Sequence, residues 1–332
     1  MNADPAWSEM LDEFRALGGV ADNIRLGHGA FGRGLFPIDP AKPIEIIVPD
    51  NLLVSSSDVD VDKNAFRINP EAQVGARERA FLERYEQDFA WGPGHLETER
   101  FLAAMLDLPE RVREMLIRDF DLGRFFNPVS PQLIQKWFFG SRDIKTSKGR
   151  VIMPIIELAN HGGDVAYDRQ SGVALRGLFE GEVLVRYARP TDSYDMFLNW
   201  MFSPNEPTAF SIKMVVKPSR RNLEIGRQFD EASLPFVPRV AIEGDRVVAN
   251  YLLLGHQNFP RLPQGAFRRA MAHAGFDDLD EVFDFVQFAN RQNFFQLLEA
   301  LAGVESPAAD ALRVMVLNQL KALSHHFGAR PV

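Results

Sequence analysis

Apolar residues spaced three and four apart dominate the first stretch of the chain. Trp7, Met10, Leu11, Phe14 and Leu17 fall on one helical face, which predicts an amphipathic helix over 4–17. Asp4 sits where an N-cap is needed, Pro5 suits the first helical position, and Gly18–Gly19 end the pattern. From 24 to 69 the pattern shortens into apolar runs broken by Gly and Pro, as expected of strands. It changes again over 71–139, where helical periodicity runs across 71–91, 96–106, 109–120 and 131–139, the last capped by Ser130. Strands are predicted at 151–156, 173–179, 183–187 and 210–217. After Pro218 a hairpin pattern spans 239–254 and turns at Gly244–Asp245, followed by helices near 264–275, 278–302 and 307–326. These boundaries divide the chain into an N-terminal helix (1–19), two β-rich pieces (20–70 and 141–218) flanking a helical insertion (71–140), and a mainly helical C-terminal region (219–332). The predicted class is α+β.

Composition narrows the chemistry. With 332 residues, 46% hydrophobic and 25% charged, the chain has ample length for a buried core. No apolar run reaches the roughly 18 residues of a membrane span, and the N-terminus lacks a basic region followed by an apolar one, so the cytoplasm is the expected location. Zero cysteines exclude disulfides and thiolate zinc sites. A net charge of −8 argues against a nucleic-acid surface. No carboxylate stands at ligand spacing beside His325–His326, so that pair reads as a solvated helix end and no metal is expected.

Candidate chemistry concentrates in a few segments. PIIELANH (154–161) carries Asn160 and His161 at the foot of a strand, and GEVLVRY (181–187) ends on Tyr187. Residues so placed on two strands can meet across a ladder, bringing a carboxamide, an imidazole and a phenol to one cleft. The chain uses Phe 27 times and Tyr only 5, so a hydroxyl at 187 is itself informative. Upstream, Gly27-x-Gly29-x-x-Gly32 matches a dinucleotide fingerprint, yet a strand and not a helix follows it, leaving a phosphate no helix N-terminus to bind. Glycines there let the backbone pass close to a ligand or a neighbouring strand.

Taken in order, GRGLF (32–36), the strand and proline of 44–49, WFFGSR (137–142), PIIELANH, GEVLVRY and the aromatic-ended YARPTDSYDMFLNWMF (187–202) resemble the SET-domain methyltransferases, in particular the branch typified by the Rubisco large-subunit lysine methyltransferase. The resemblance covers roughly 24–215. It implies a β-rich core with a threaded segment, the helical part as the family's variable insert, and a C-terminal lobe that docks a protein substrate. It also implies S-adenosyl-L-methionine as cofactor, held around Gly32, Arg33, Gly34, Arg142, Glu157, Asn160, His161 and Tyr187. Tyr187 would be the catalytic residue, and Trp200 and Phe202 would line the substrate channel. Glu157 stands where the family pattern has Asp. Asp192–Ser193 replaces Ser-Asn, and Trp200-Met201-Phe202 replaces Tyr-Gly-Phe, changes that bear on which side chain is accepted. The implied activity is transfer of a methyl group to a lysine amine of a protein. Methylation of histidine by the same fold, and a partner-binding module without catalysis, are the alternatives.

Overall fold

The structure, a computed structural model, describes residues 4–62, 65–163, 165–169, 172–187, 191–218, 221–228 and 236–324. His325–His326 and residues 188–190 therefore lie outside the described part. The chain forms two compact units. The first comprises Met1–Arg100 and Val129–Arg189, the second Phe101–Pro128 and Pro190–Val332, so the helical stretch 71–140 is divided between them. The α+β class is the one observed, with short strands in both units and the longest helices near the C-terminus.

The first unit opens on the helix Pro5–Ala16. Asp4 caps it, its side chain accepting from Ala6 N–H at 3.0 Å, and Trp7, Met10, Leu11 and Phe14 are buried. Gly18, at φ +94°, reverses the chain, and Gly19 N–H returns to Phe14 O at 3.0 Å. A Cβ at Gly19 would lie 2.4 Å from the Phe14 ring, so glycine is required for this closure. Trp7 and Phe14 then pack on Phe89 and Phe81 of the helix Ala76–Phe89, at ring separations of 5.2 and 5.9 Å. The strands form small sheets. Ile44–Val48 is the middle strand between Val20–Asp22 and Val173–Gly177, and Ile24–Gly29 pairs with Gly32–Pro37 in an antiparallel hairpin. The Gly-x-Gly-x-x-Gly turn lies in this hairpin, without the helix a dinucleotide would need.

The helix expected to begin at 96 begins at Trp91 (Trp91–Leu106). Gly92-Pro93-Gly94 reads as a breaker, but Pro93 falls in the first turn, where the N–H it lacks has no intrahelical partner.

In the second unit Val240–Glu243 and Arg246–Asn250 form the predicted hairpin around Gly244 at φ +66°. They belong to a four-stranded sheet with Asn222–Gly226 and Met214–Val216. The helices Leu262–Met271, Leu279–Ala300 and Pro307–Ser324 follow. The core includes the ring pairs Phe120–Phe294, Phe125–Phe197 and Phe267–Phe283, at 5.4 to 5.6 Å. No helix of the described residues is long and apolar enough to cross a membrane.

Candidate active site

The strand expected over 151–156 stops at Ile152 (Gly149–Ile152), and the reason is a tight reversal. Ile155 has φ +70° and ψ −59°, and Ile156 N–H donates to Pro154 O at 2.8 Å. This is a positive-φ γ-turn, a strained conformation for a β-branched residue. Such strain costs on the order of 1–3 kcal/mol and persists only where the surroundings enforce it. Ile155 is fully buried. A short 3-10 turn, Ile156–Leu158, then presents Glu157 before the two-residue strand Asn160–His161.

That strand pairs in parallel with Leu184–Val185, Asn160 opposite Leu184 and His161 opposite Val185. The pairing brings the Asn-His dipeptide to Tyr187 as the alternation predicted, although the second strand is shorter than the expected 183–187. Tyr187 N–H donates to His161 Nδ1 at 3.3 Å, and the rings meet edge to face at 5.1 Å. The Tyr187 hydroxyl donates to Ala159 O at 2.8 Å. Burial pushes the phenol up to about 12, so it is a neutral group at physiological pH.

Asn160 connects this corner to the glycine hairpin. Its Nδ2 donates to Arg33 O at 3.1 Å and to Glu182 Oε1 at 2.6 Å. A Cβ at Gly34 would lie 2.5 Å from Glu182 Oε1 and 2.7 Å from Asn160 Nδ2, so the clasp needs glycine there. At Gly32, with φ +87°, an added Cβ would meet nothing within 4 Å, and that side of the turn is open. Glu182 was not among the residues expected at the site. Its only sequence signal is its place in GEVLVRY, beside the glycine.

Arg142 follows the helix Pro131–Gly140. Its guanidinium lies 3.9 Å from the centre of the Phe138 ring, and Nη1 donates to Ser141 Oγ at 2.9 Å and Phe138 O at 3.3 Å. Arg33 donates to Phe89 O and is partly desolvated. Both cations act on Glu157.

Glu157 also has a partner that sequence reasoning missed. Glu86, from the helix Ala76–Phe89, is fully buried, as is its neighbour Tyr85, and both carboxyls lack a close, well-aligned hydrogen bond. Burial pushes Glu157 up to about 7, opposed by the Arg142 charge. Glu86 is raised well above the carboxylate range by burial and then by the Glu157 charge. Glu86 is thus the partner that keeps its proton, and Glu157 ionises first, opposite Arg142. The carboxyl at 157 is therefore not a fixed charge.

A carboxyl with a raised folded-state pKa holds its proton where the unfolded chain has already lost it, so stability falls as pH rises through that interval. We expect unfolding free energy to decline from about pH 5 upward, by about 2.7 kcal/mol per pH unit while both carboxyls keep protons that the unfolded chain has lost, about 1.4 for each. The decline should continue above pH 7 at about half that slope, because Glu86 still holds its proton after Glu157 has ionised. Glu86→Gln keeps a donor for Glu157 but cannot ionise, so its stability should level off above about pH 7 in urea titrations. Parallel pH profiles for parent and variant would refute the pairing.

Trp200 and Phe202, expected at the substrate channel, belong to the second unit, where Trp200 ends the helix Ser193–Trp200. Asp192 is consumed structurally. It caps this helix through Asp195 N–H at 2.8 Å, accepts from Phe210 N–H at 2.8 Å, and pairs with Arg227 at 2.9 Å.

The sequence matches no family model and no curated protein. The chain is similar to solved SET-domain structures. One is the SET domain of LSMT bound to lysine and AdoHcy, 14% identical with a TM-score of 0.41, covering 96% of this chain and 89% of that one. Another is Rubisco LSMT bound to AdoMet, at 13% and 0.43, covering 96% and 90%. A third is the SET domain of LSMT bound to MeLysine and AdoHcy, at 14% and 0.42, covering 97% and 90%.

Proposed function

We propose that the protein is an S-adenosyl-L-methionine-dependent protein methyltransferase acting on a lysine side-chain amine. The observation that carries the reading is the Asn160 clasp. One side chain joins the glycine hairpin (Arg33 O) and Glu182 to the strand that holds His161 against Tyr187, so three separate motifs converge. The residues suit the cofactor's amino-acid end. Arg33 and Arg142 offer guanidinium groups to a carboxylate, Glu182 offers a carboxylate to an ammonium, and the turn at Gly32 leaves room beside exposed backbone. Gly32, Arg33, Gly34, Arg142, Glu157, Asn160, His161 and Tyr187 would hold it.

When bound, S-adenosylmethionine supplies a sulfonium methyl group open to in-line attack by a neutral amine. At pH 7 only about one free lysine in a thousand or fewer is neutral. The desolvation that raises the Tyr187 phenol acts in the opposite sense on an amine, favouring its neutral form. Tyr187 is too weak an acid to exchange its proton at this pH. With that proton directed at Ala159 O, the hydroxyl would act on the acceptor amine as an orienting group and not as a base. Trp200 and Phe202 would shape the acceptor's path, and the region 219–332 would dock the substrate protein.

Calorimetric titration with S-adenosylmethionine and S-adenosylhomocysteine, without added metal, tests the reading, and a flat response from folded protein for both ligands would remove it. Asn160→Ala should weaken binding by about tenfold or more, because Arg33 O and Glu182 both lose their donor. Unchanged affinity in that variant would displace the site.

A further inference from the structure

The helix Leu279–Ala300 is apolar on two faces, and only one of them is used inside the second unit. The inner face is fixed in place. Val282, Phe283, Val286, Phe294 and Leu297 are buried, Gln287 Nε2 donates to Leu254 O at 2.9 Å, and Asn290 Oδ1 accepts from Ile212 N–H at 2.8 Å. The outer face carries Phe285, Phe288 and Phe295, which are 44, 58 and 40% exposed. At about 100° and 1.5 Å per residue these rings and Gln292 fall within about 80° of one another, in a stripe about 15 Å long. The exposed Glu281 and Glu299 stand on the same line beyond its two ends, and the exposed Asp284 flanks it. Arg291, the one cation of this helix, lies further round than Asp284 and is only partly exposed.

Three half-exposed phenylalanines present roughly 300 Å² of ring surface, the size of the largest and often functional patch on a monomer. The charges decide what can cover it. A second copy of the chain fits badly: antiparallel pairing of the stripe with itself sets Glu281 against Glu299, and parallel pairing sets each against its own counterpart. Carboxylates meet at both ends either way. An anionic membrane surface is disfavoured by the same charges, since helices that lie there carry Lys and Arg around the apolar face. We propose that this stripe docks a basic amphipathic segment of another protein, with apolar residues at helical spacing against Phe285, Phe288 and Phe295 and with Lys or Arg at Glu281, Asp284 and Glu299. A helix of about 19 residues spans the distance from Glu281 to Glu299, about 27 Å. A face of this size is well below the roughly 800 Å² per partner of a standard interface, so the contact is weak and exchanges readily.

The test is fluorescence anisotropy of the full chain with a labelled synthetic helix of about 19 residues, carrying leucine at the spacing of the stripe and arginine at both ends. Arginine keeps the charge and offers no lysine amine, so the binding does not depend on the methyltransferase reading. Saturable binding is expected, weakened by added salt, with the same helix ending in glutamate at least about tenfold weaker. Phe288→Ala should weaken binding at least about fivefold, and adding Phe285→Ala should weaken it further. Both rings stand largely outside the core, so a urea melt of these variants should show the fold intact. Glu281→Gln and Glu299→Gln should each cost about two- to fivefold, the range of a solvent-exposed ion pair. Equal affinity for the two helices, no saturation, or binding indifferent to the phenylalanine substitutions would overturn the proposal. So would competition by S-adenosylhomocysteine, which would move the helix to the Tyr187 site. A concentration-dependent mass that Phe288→Ala abolishes would make a second copy the occupant, and binding to phosphatidylserine vesicles that the same variant abolishes would make it a membrane; either would overturn the proposal too.

Discussion

Tyr187→Phe should reduce methyl transfer by at least about a hundredfold while changing cofactor affinity by about tenfold or less. The substitution keeps the ring and its edge-to-face contact with His161, and the backbone N–H that donates to His161 Nδ1 is untouched. It removes the hydroxyl, and with it both the bond to Ala159 O and the group that the proposed function sets against the acceptor amine. Ala159 is buried, so its carbonyl loses a donor that water does not readily replace. A stability loss of about 1–2 kcal/mol accompanies the change. It is too small to unfold an average domain, and far too small to explain a hundredfold fall in rate by loss of folded protein. Single-turnover transfer from labelled S-adenosylmethionine to a proteome extract, measured alongside S-adenosylhomocysteine affinity and a urea melt, separates the three effects. A variant that keeps more than half the parent rate would end the assignment of Tyr187.

The parts of this site visible in the sequence are those whose determinants are local. Asp4 and Ser130 each stand immediately before an apolar periodic run and each caps a helix. The alternation in GEVLVRY and the Asn-His pair predict two strands that can meet, and they do. The γ-turn at Ile155 was hidden because a β-branched residue in an apolar run argues for a strand, and local preference is overridden by the packing around a fully buried side chain. Glu86, Glu182 and Arg227 were missed for a different reason. Each acts through a partner 22 or more residues distant, and apart from the place of Glu182 in GEVLVRY nothing in its own neighbourhood distinguishes it from a surface charge. Glu86 lies on a helix whose other acidic residues Glu78, Glu83 and Asp88 are not buried, and only the tertiary fold selects which of them is enclosed.

Arg227→Met should produce the largest loss of stability, about 3–5 kcal/mol at pH 7.5, because it leaves a buried charge cluster without its cation. The Arg227 side chain is 9% exposed, and those of its partners Asp192 and Asp195 are 0% and 7% exposed. Nη2 contacts Asp192 at 2.9 Å and Asp195 at 2.7 Å, and Nη1 donates to Ser211 O at 2.7 Å and Phe210 O at 3.2 Å. The guanidinium also lies over the rings of Tyr194 and Tyr251, and the Tyr251 hydroxyl donates to Asp195. Burial already pushes Asp195 up to about 6, with Arg227 opposing the shift. Without the guanidinium the Asp195 carboxyl rises further above its unfolded-state value. The variant therefore takes up protons on folding, and its stability recovers as pH falls. The deficit relative to the parent should shrink markedly between pH 7.5 and pH 5, and adding Asp195→Asn should restore part of it at pH 7.5. Urea titrations of the three proteins at both pH values measure this. A deficit under about 1 kcal/mol, or one that does not depend on pH, would mean that the cluster is solvated and that Arg227 does not hold it. Because Asp192 caps the helix that ends at Trp200, a true deficit combined with the proposed function also predicts that transfer activity at permissive pH falls before the unit unfolds.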